Sequence, residues 1–260
     1  MRNGLLCMCA ALACFAANGA VNAQSSGVAV DTTTQQQLDQ LVNIQEHWGP
    51  EASTDHLALS LVETARSGGT VTFRLNAPGA PKDKTYTLVS WPVTASGPQQ
   101  VMTGVTFDTS GTAVCAGTPG KCGDAATPND PIDNVTQPVP GEPVRLGLIS
   151  SDGTVKLFAR AVPVPIRSVD HGCELQAVLL TPKAEAVLLP ASGYSPATKA
   201  TLDCHSEKEQ HAKEIDLNAQ GKYSVAFLPY VAGLDHGTLT CTVKTAQCAN
   251  TVSVPWGKSQ

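Results

Sequence analysis

Charge is scarce in this chain. Asp, Glu, Lys and Arg make up 15% of its 260 residues, and the formal balance is −5. No Lys/Arg cluster occurs, so the chain lacks the basic face that nucleic acids and anionic lipids require. Aromatic residues are only 5%. Trp48, Trp91 and Trp256 are too scattered for a sugar-stacking platform and read as packing residues. No run reaches roughly 18 apolar residues, so no transmembrane segment is predicted. A G-x-S-x-G elbow, an H-E-x-x-H, a P-loop and a G-x-G-x-x-G are all absent. An enzyme reading therefore starts without a motif.

What is present begins at the N-terminus. Arg2 precedes an apolar run from Leu5 to Ala17, and Val21-Asn22-Ala23 puts small residues where a signal peptidase reads. This pattern predicts a leader over residues 1–23 and a periplasmic or extracellular location. A buried N-terminal helix is the plainer alternative. A lipoprotein reading of Cys14 meets Ala11 where a large aliphatic residue belongs. The leader holds Arg2 and no acid, so of the 17 basic residues 16 remain against 22 acids, a balance of −6. Such a chain is long enough for two domains.

Nine cysteines fall into two groups. Cys7, Cys9 and Cys14 lie in the predicted leader. Cys115, Cys122, Cys173, Cys204, Cys241 and Cys248 follow it, and none sits in a C-x-x-C. An even number in an exported chain favours disulfides over metal or redox chemistry.

Residues 24–33 are polar, and from Thr34 the period becomes helical. Leu38, Leu41, Val42 and Gln45 share a face, Thr34 is a candidate cap, and Gly49-Pro50 ends the helix near residue 47. Beyond Asp55 the chain reads as strands. Leu57, Leu59 and Leu61 alternate, as do Val71, Phe73 and Leu75, and then Tyr86, Leu88 and Ser90. The runs on either side of Ser151-Asp152-Gly153 form the clearest hairpin. Pro163 and Pro165 suggest a stiff linker. A second unit starting near Ser168 offers about seven short strands, the pattern of an immunoglobulin-like sandwich. The fold class predicted is all-β: two β-sandwich domains with one short N-terminal helix. The segments are a polar stretch with the helix over 24–55, a first β domain over 56–167 and an immunoglobulin-like domain over 168–260.

In the second unit, Cys204 shares an apolar strand face with Leu202, and Cys241 shares one with Leu239 and Val243. Both faces should point inward, so a Cys204–Cys241 bridge is expected to join the two sheets. Cys173 and Cys248 each open a strand and form the natural second pair. A local Cys241–Cys248 bridge is the rival. Cys115 and Cys122 most simply pair across the loop between them.

Candidates for chemistry are few. His171 beside Asp170 and His236 beside Asp235 could share a metal, but solvent-exposed loop histidines are the ordinary reading. Asp124, Asn129, Asp130, Asp133 and Asn134 gather oxygen ligands in one loop. Asp124, Asp130 and Asp133 are thus calcium candidates, although the spacing is not that of an EF-hand and loop solvation explains them as well. No other cofactor is predicted. The run Ser206 to Glu214 reads as a solvated hairpin.

Cys204 and Cys241, the "GKYSVAFLP" strand and the closing "CANTVSVPWG" resemble immunoglobulin-like modules of exported bacterial proteins. The first unit, with "FRLNAPGAPKDKTYTLVSWPV", is similar to the front half of uncharacterised exported bacterial proteins, a class that implies no activity. A departure is the lack of a tryptophan between the two central cysteines. The function expected is a non-enzymatic binding or assembly protein whose partner is an unknown protein or glycan. Alternatives are an accessory glycan-binding module and a hydrolase with a non-local site. A ligand is expected in the inter-domain groove around Val162 to His171 or on the long loop from Cys115 to Glu142.

Overall fold

The computed structural model describes residues 22–25, 32–117, 122 and 129–257. The predicted leader therefore lies almost wholly outside the described residues, as does Asp124. One helix, α1 (Thr32–Glu46), precedes most of the strands. It begins before Thr34, which lies inside the first turn instead of capping it. Leu38, Val42 and Gln45 are buried on one face, with Leu41 half-buried beside them.

The first sandwich packs two sheets. One holds β2 (Ser60–Ser67), β3 (Thr70–Asn76) and β7 (Asp133–Thr136) in the order β2-β3-β7. The other holds β4 (Tyr86–Ser90), β5 (Gln99–Phe107), β6 (Ala113–Cys115), β8 (Val144–Ser150) and β9 (Lys156–Ala161) in the order β6-β5-β4-β8-β9. Alternation fills the space between them with Leu75, Tyr86, Leu88, Val105, Phe107, Leu146, Leu148 and Leu157. The predicted strand from Leu57 is a correction: two short 3-10 turns occupy Pro50–Ala52 and Thr54–His56, and β2 starts only at Ser60. The long loop from Cys115 to Glu142 also contains a strand, β7.

The second sandwich is built from β10 (Ile166–Asp170), β11 (Cys173–Leu179), β12 (Val187–Ser192), β13 (Lys199–Ser206), β14 (Glu209–Asp216), β15 (Tyr223–Leu228), β16 (His236–Lys244) and β17 (Ala249–Gly257). One sheet runs β15-β12-β11-β10 and gains β1 (Asn22–Ser25), which is parallel to β15. The other runs β14-β13-β16-β17. Strands β11-β12-β15 against β14-β13-β16-β17 reproduce the A-B-E and C′-C-F-G order of immunoglobulin-type sandwiches. Strands β2-β3-β7 against β6-β5-β4-β8-β9 repeat that order in the first sandwich, with one strand more. The two halves thus share one topology.

Two disulfides lie in the second sandwich. Cys173–Cys248 joins the start of β11 to the turn before β17 and so links the two sheets. Cys204–Cys241 joins β13 and β16, which are neighbours in one sheet with these two residues in register. The expected inter-sheet role of Cys204–Cys241 is thus corrected. Both side chains face inward, but their strands pair directly. Cys115 and Cys122 correct the third expectation: they stand as two buried thiols. The loop folds back on β5, with the Cys122 N–H on the Thr103 carbonyl and the Cys122 thiol on the Gly104 carbonyl at 3.0 Å. Burial, with the Cys115 side chain as hydrogen-bond partner, pushes the Cys122 thiol up to about 11. A thiol that keeps its proton is a poor nucleophile.

The turn between β8 and β9 is held by Asp152. Its carboxylate accepts from the Ser150 and Thr154 hydroxyls and the Thr154 N–H, and pairs with Lys84. Lys84 first, then Ser150 and Thr154, hold the Asp152 carboxyl well below the usual carboxylate range. A lowered folded-state value stabilises above the unfolded value and stops doing so as pH falls through the folded one. The first sandwich should therefore lose stability below about pH 4, and Asp152→Asn should remove that part of the dependence. Thermal melts of both proteins across acid pH check this.

Candidate functional site

Helix α1 does not pack within the first sandwich. Its apolar face lies on the outer side of the β15-β12-β11-β10 sheet, where Leu38 and Val42 meet Val178, Leu180, Ala186, Leu188 and Ala226. Its C-terminal end reaches the first sandwich. Arg160, at the end of β9, donates at 2.9 Å to the carbonyls of Gln45 and Glu46 and pairs with Glu51. Cations at a helix C-terminus satisfy its last carbonyls and oppose its dipole. Arg145, on β8, donates from Nε to Gln45 Oε1 at 2.9 Å and from Nη1 to the Trp91 carbonyl at 3.1 Å. Trp48 closes this corner against Trp91 and Phe158. A second tie is the Gly141 carbonyl, which accepts from the Leu179 N–H at 2.8 Å. Gly141 has a φ of +80°, and a Cβ there would stand 3.1 Å from Ile166 Cδ1, so glycine is required.

The helix covers only part of the outer sheet face. Registers place Arg167 beside Gln176, and Pro190 beside Ser224, in the row next to Val178 and Leu188 on the same face. That polar row borders Val178 and Leu188, with Glu46, Arg160, Val162 and Pro165 standing over it. Together they enclose a groove of about 480 Å³ at the junction of the two sandwiches. The volume is that of a small-molecule or peptide side-chain site. Burial raises the Glu46 carboxyl above its usual value, Glu51 adds to the rise, and His47 and Arg160 oppose it. Arg167 pairs loosely with Glu174 at 3.6 Å and remains half-exposed. The groove offers hydrogen-bond donors, one acid and an apolar floor. Among the described residues that line it there is no histidine or thiol.

The residues singled out from sequence fare differently. Val162, Pro165 and Arg167 do line the groove, whereas His171 stands at the far end of β10, exposed and bonded to Asp170 at 2.6 Å. Among the described residues neither His171 nor His205 holds a hydroxyl or thiol, so no Ser-His-Asp arrangement forms around the Asp170–His171 or Asp203–His205 pair. Asp133 is taken by Arg74 through two hydrogen bonds of 2.9 and 2.8 Å. Asp130 accepts the Cys115 N–H through its backbone carbonyl. No group of three His, Cys, Asp or Glu side chains is gathered for a metal among the described residues. Arg145, Arg160, Gln45 and Glu46 were missed by sequence reading. The one signal was Gln45 on the apolar face of the helix, a polar group that needs a buried partner.

No described helix is long and apolar enough to cross a membrane. No family model matches the chain, and no curated protein matches it.

Proposed function

We propose that this chain is an exported, non-enzymatic binding or assembly protein of the periplasm or cell exterior, with its ligand seated at the junction of its two sandwiches. The groove of about 480 Å³ between α1, the end of β9 and the outer face of β10, β11, β12 and β15 carries this reading. Its walls come from both sandwiches and are fixed by the Arg160 and Arg145 contacts, which is the preorganisation that binding sites need. Two disulfides and the leader pattern at Arg2 to Ala23 support the compartment. The tryptophans give no support to a glycan platform: Trp48 and Trp256 are buried and Trp91 packs edge-on to Trp48.

Ala161→Trp places an indole in the groove while keeping both arginines and their acceptors in the sequence. Native mass spectrometry of the chain purified from its own cell envelope should find a bound species on the wild type and lose it on Ala161→Trp. Equal binding by both moves the site elsewhere. Turnover of an ester, peptide or glycoside that disappears in His171→Ala would replace the binding reading with a hydrolase.

A further inference from the structure

The groove at the junction is lined by three charged side chains, Glu46, Arg160 and Arg167. Arg160 is already committed: it donates to the last carbonyls of α1 and pairs with Glu51. Arg167 is not. Its guanidinium stands 3.6 Å from the Glu174 carboxylate, which accepts instead from Gln176 Nε2 at 2.6 Å. Arg167 donates no hydrogen bond among the described residues. The Glu46 carboxylate likewise accepts none among them, and only charge attraction from His47 and Arg160 offsets its burial. Gln45 is the third underused group. It is 6% exposed, and its Oε1 accepts from Arg145, yet its Nε2 has no acceptor among the described residues. A side-chain amide so buried ordinarily has its donors paired.

These groups border an ordered floor. Arg167, Gln176, Pro190 and Ser224 form one row across β10, β11, β12 and β15. Three strand spacings make that row roughly 14 Å long, the span of about four extended residues. Val178 and Leu188 lie in the adjoining row of the same face, so an apolar strip runs beside the polar one. Arg167 marks the β10 end of the polar row, and Glu46 stands over it from α1. One free cation, one free anion, a buried amide and an apolar strip are the complement of a zwitterion with an apolar side chain.

We propose that the groove takes a short free peptide of about four residues, with its C-terminal carboxylate on Arg167 and an apolar side chain near that end over Val178 and Leu188. The proposal rests on the binding reading given above. The planar fork of an arginine matches a carboxylate through two parallel N–H···O bonds. Glu46 receives the N-terminal ammonium. Gln45 Nε2, Gln176 Oε1 and the Ser224 hydroxyl meet the peptide groups between the two ends. A fatty acid fits less well. Its acyl chain would cover Glu46 and these polar groups without pairing them, and buried polar groups left unpaired cost free energy.

Calorimetric titration tests this with the tetrapeptide Gly-Ala-Leu-Leu, its C-terminal amide, its N-acetyl form and decanoate. The free peptide should bind on the order of tenfold tighter than the amide. Arg167→Gln should weaken the free peptide by on the order of tenfold and leave binding of the amide as it was. Glu46→Gln should weaken the free peptide and leave the N-acetyl form as it was. Arg167 is half-exposed and only loosely paired, so thermal melts of Arg167→Gln and the wild type should coincide. Equal binding of free peptide and amide, an equal loss of both on Arg167→Gln, tighter binding of decanoate, or no binding of the peptide by the wild type each overturns the proposal. The groove reading fails separately, if wild type and Ala161→Trp bind the free peptide equally. A cell-envelope species that Ala161→Trp loses, with no peptide bound by the wild type, keeps the groove and sinks the peptide.

Discussion

Replacing Cys173 and Cys248 together by alanine should lower the stability of the second sandwich by about 4 kcal/mol, a loss of about 20 °C in its melting temperature. The bridge closes a span of 75 residues, against 37 for Cys204–Cys241. In the chain-entropy account the longer loop restrains the unfolded chain more, by roughly 0.6 kcal/mol for each doubling. The native side adds a second reason. Cys204 and Cys241 sit within a hydrogen-bonded ladder that runs from Thr201 opposite Lys244 to Ser206 opposite Leu239. Cys173 and Cys248 belong to facing sheets, where no ladder holds the strands together. Alanine at both positions avoids burying an unsatisfied hydroxyl. Calorimetry of the double variant should show the second sandwich melting early and the first unchanged. A larger loss on removing Cys204–Cys241 would reverse the assignment of which bridge holds the sheets.

That contrast also shows where sequence reading stops. Alternation along Thr201-Leu202-Asp203-Cys204 tells which face a cysteine uses, because side chains alternate with a period of two. It does not tell which strand lies alongside, and so Cys204 was placed on the right face with the wrong partner sheet. Helix α1 was legible for the same local reason: Leu38, Leu41, Val42 and Gln45 recur at helical spacing. Val71, Phe73 and Leu75, and the Ser-Asp-Gly hairpin, were legible as well. β10 was not, because Ile166-Arg167-Ser168-Val169-Asp170 is a half-exposed edge that follows two prolines. The topology shared by the two sandwiches was hidden too, since it resides in pairings such as β3 with β7 that join distant segments. The groove is the extreme case. Gln45, Arg160, Gln176 and Ser224 are ordinary residues spread over most of the chain, and only the packing of α1 across the junction makes them neighbours.

Gln45→Leu should destabilise the protein by about 3 kcal/mol and loosen one sandwich from the other. Both partners are buried, Gln45 at 6% exposure and Arg145 at 4%. Burial first, and the nearby Arg160 charge second, draw the Arg145 guanidinium down to about 10, so it stays protonated at neutral pH. It donates to neutral acceptors, the Gln45 side chain and the Trp91 carbonyl. Leucine at 45 leaves a buried cation short of an acceptor, and a polar group stranded in this way costs its full desolvation. Arg145→Met alone strands the Gln45 amide instead and should cost about 2 kcal/mol. The double variant sets two apolar side chains against each other and should lose about 1 kcal/mol or less, well below the sum of the singles. Denaturant unfolding of the four proteins yields the coupling energy, and small-angle scattering reports whether the sandwiches separate. Additive losses would mean that Gln45 and Arg145 are uncoupled, and that the end of α1 is tied to the first sandwich by Arg160 and Trp48 instead. The groove wall at Gln45 and Glu46 would then owe its position to the Arg160 contacts and not to the buried Gln45–Arg145 pair.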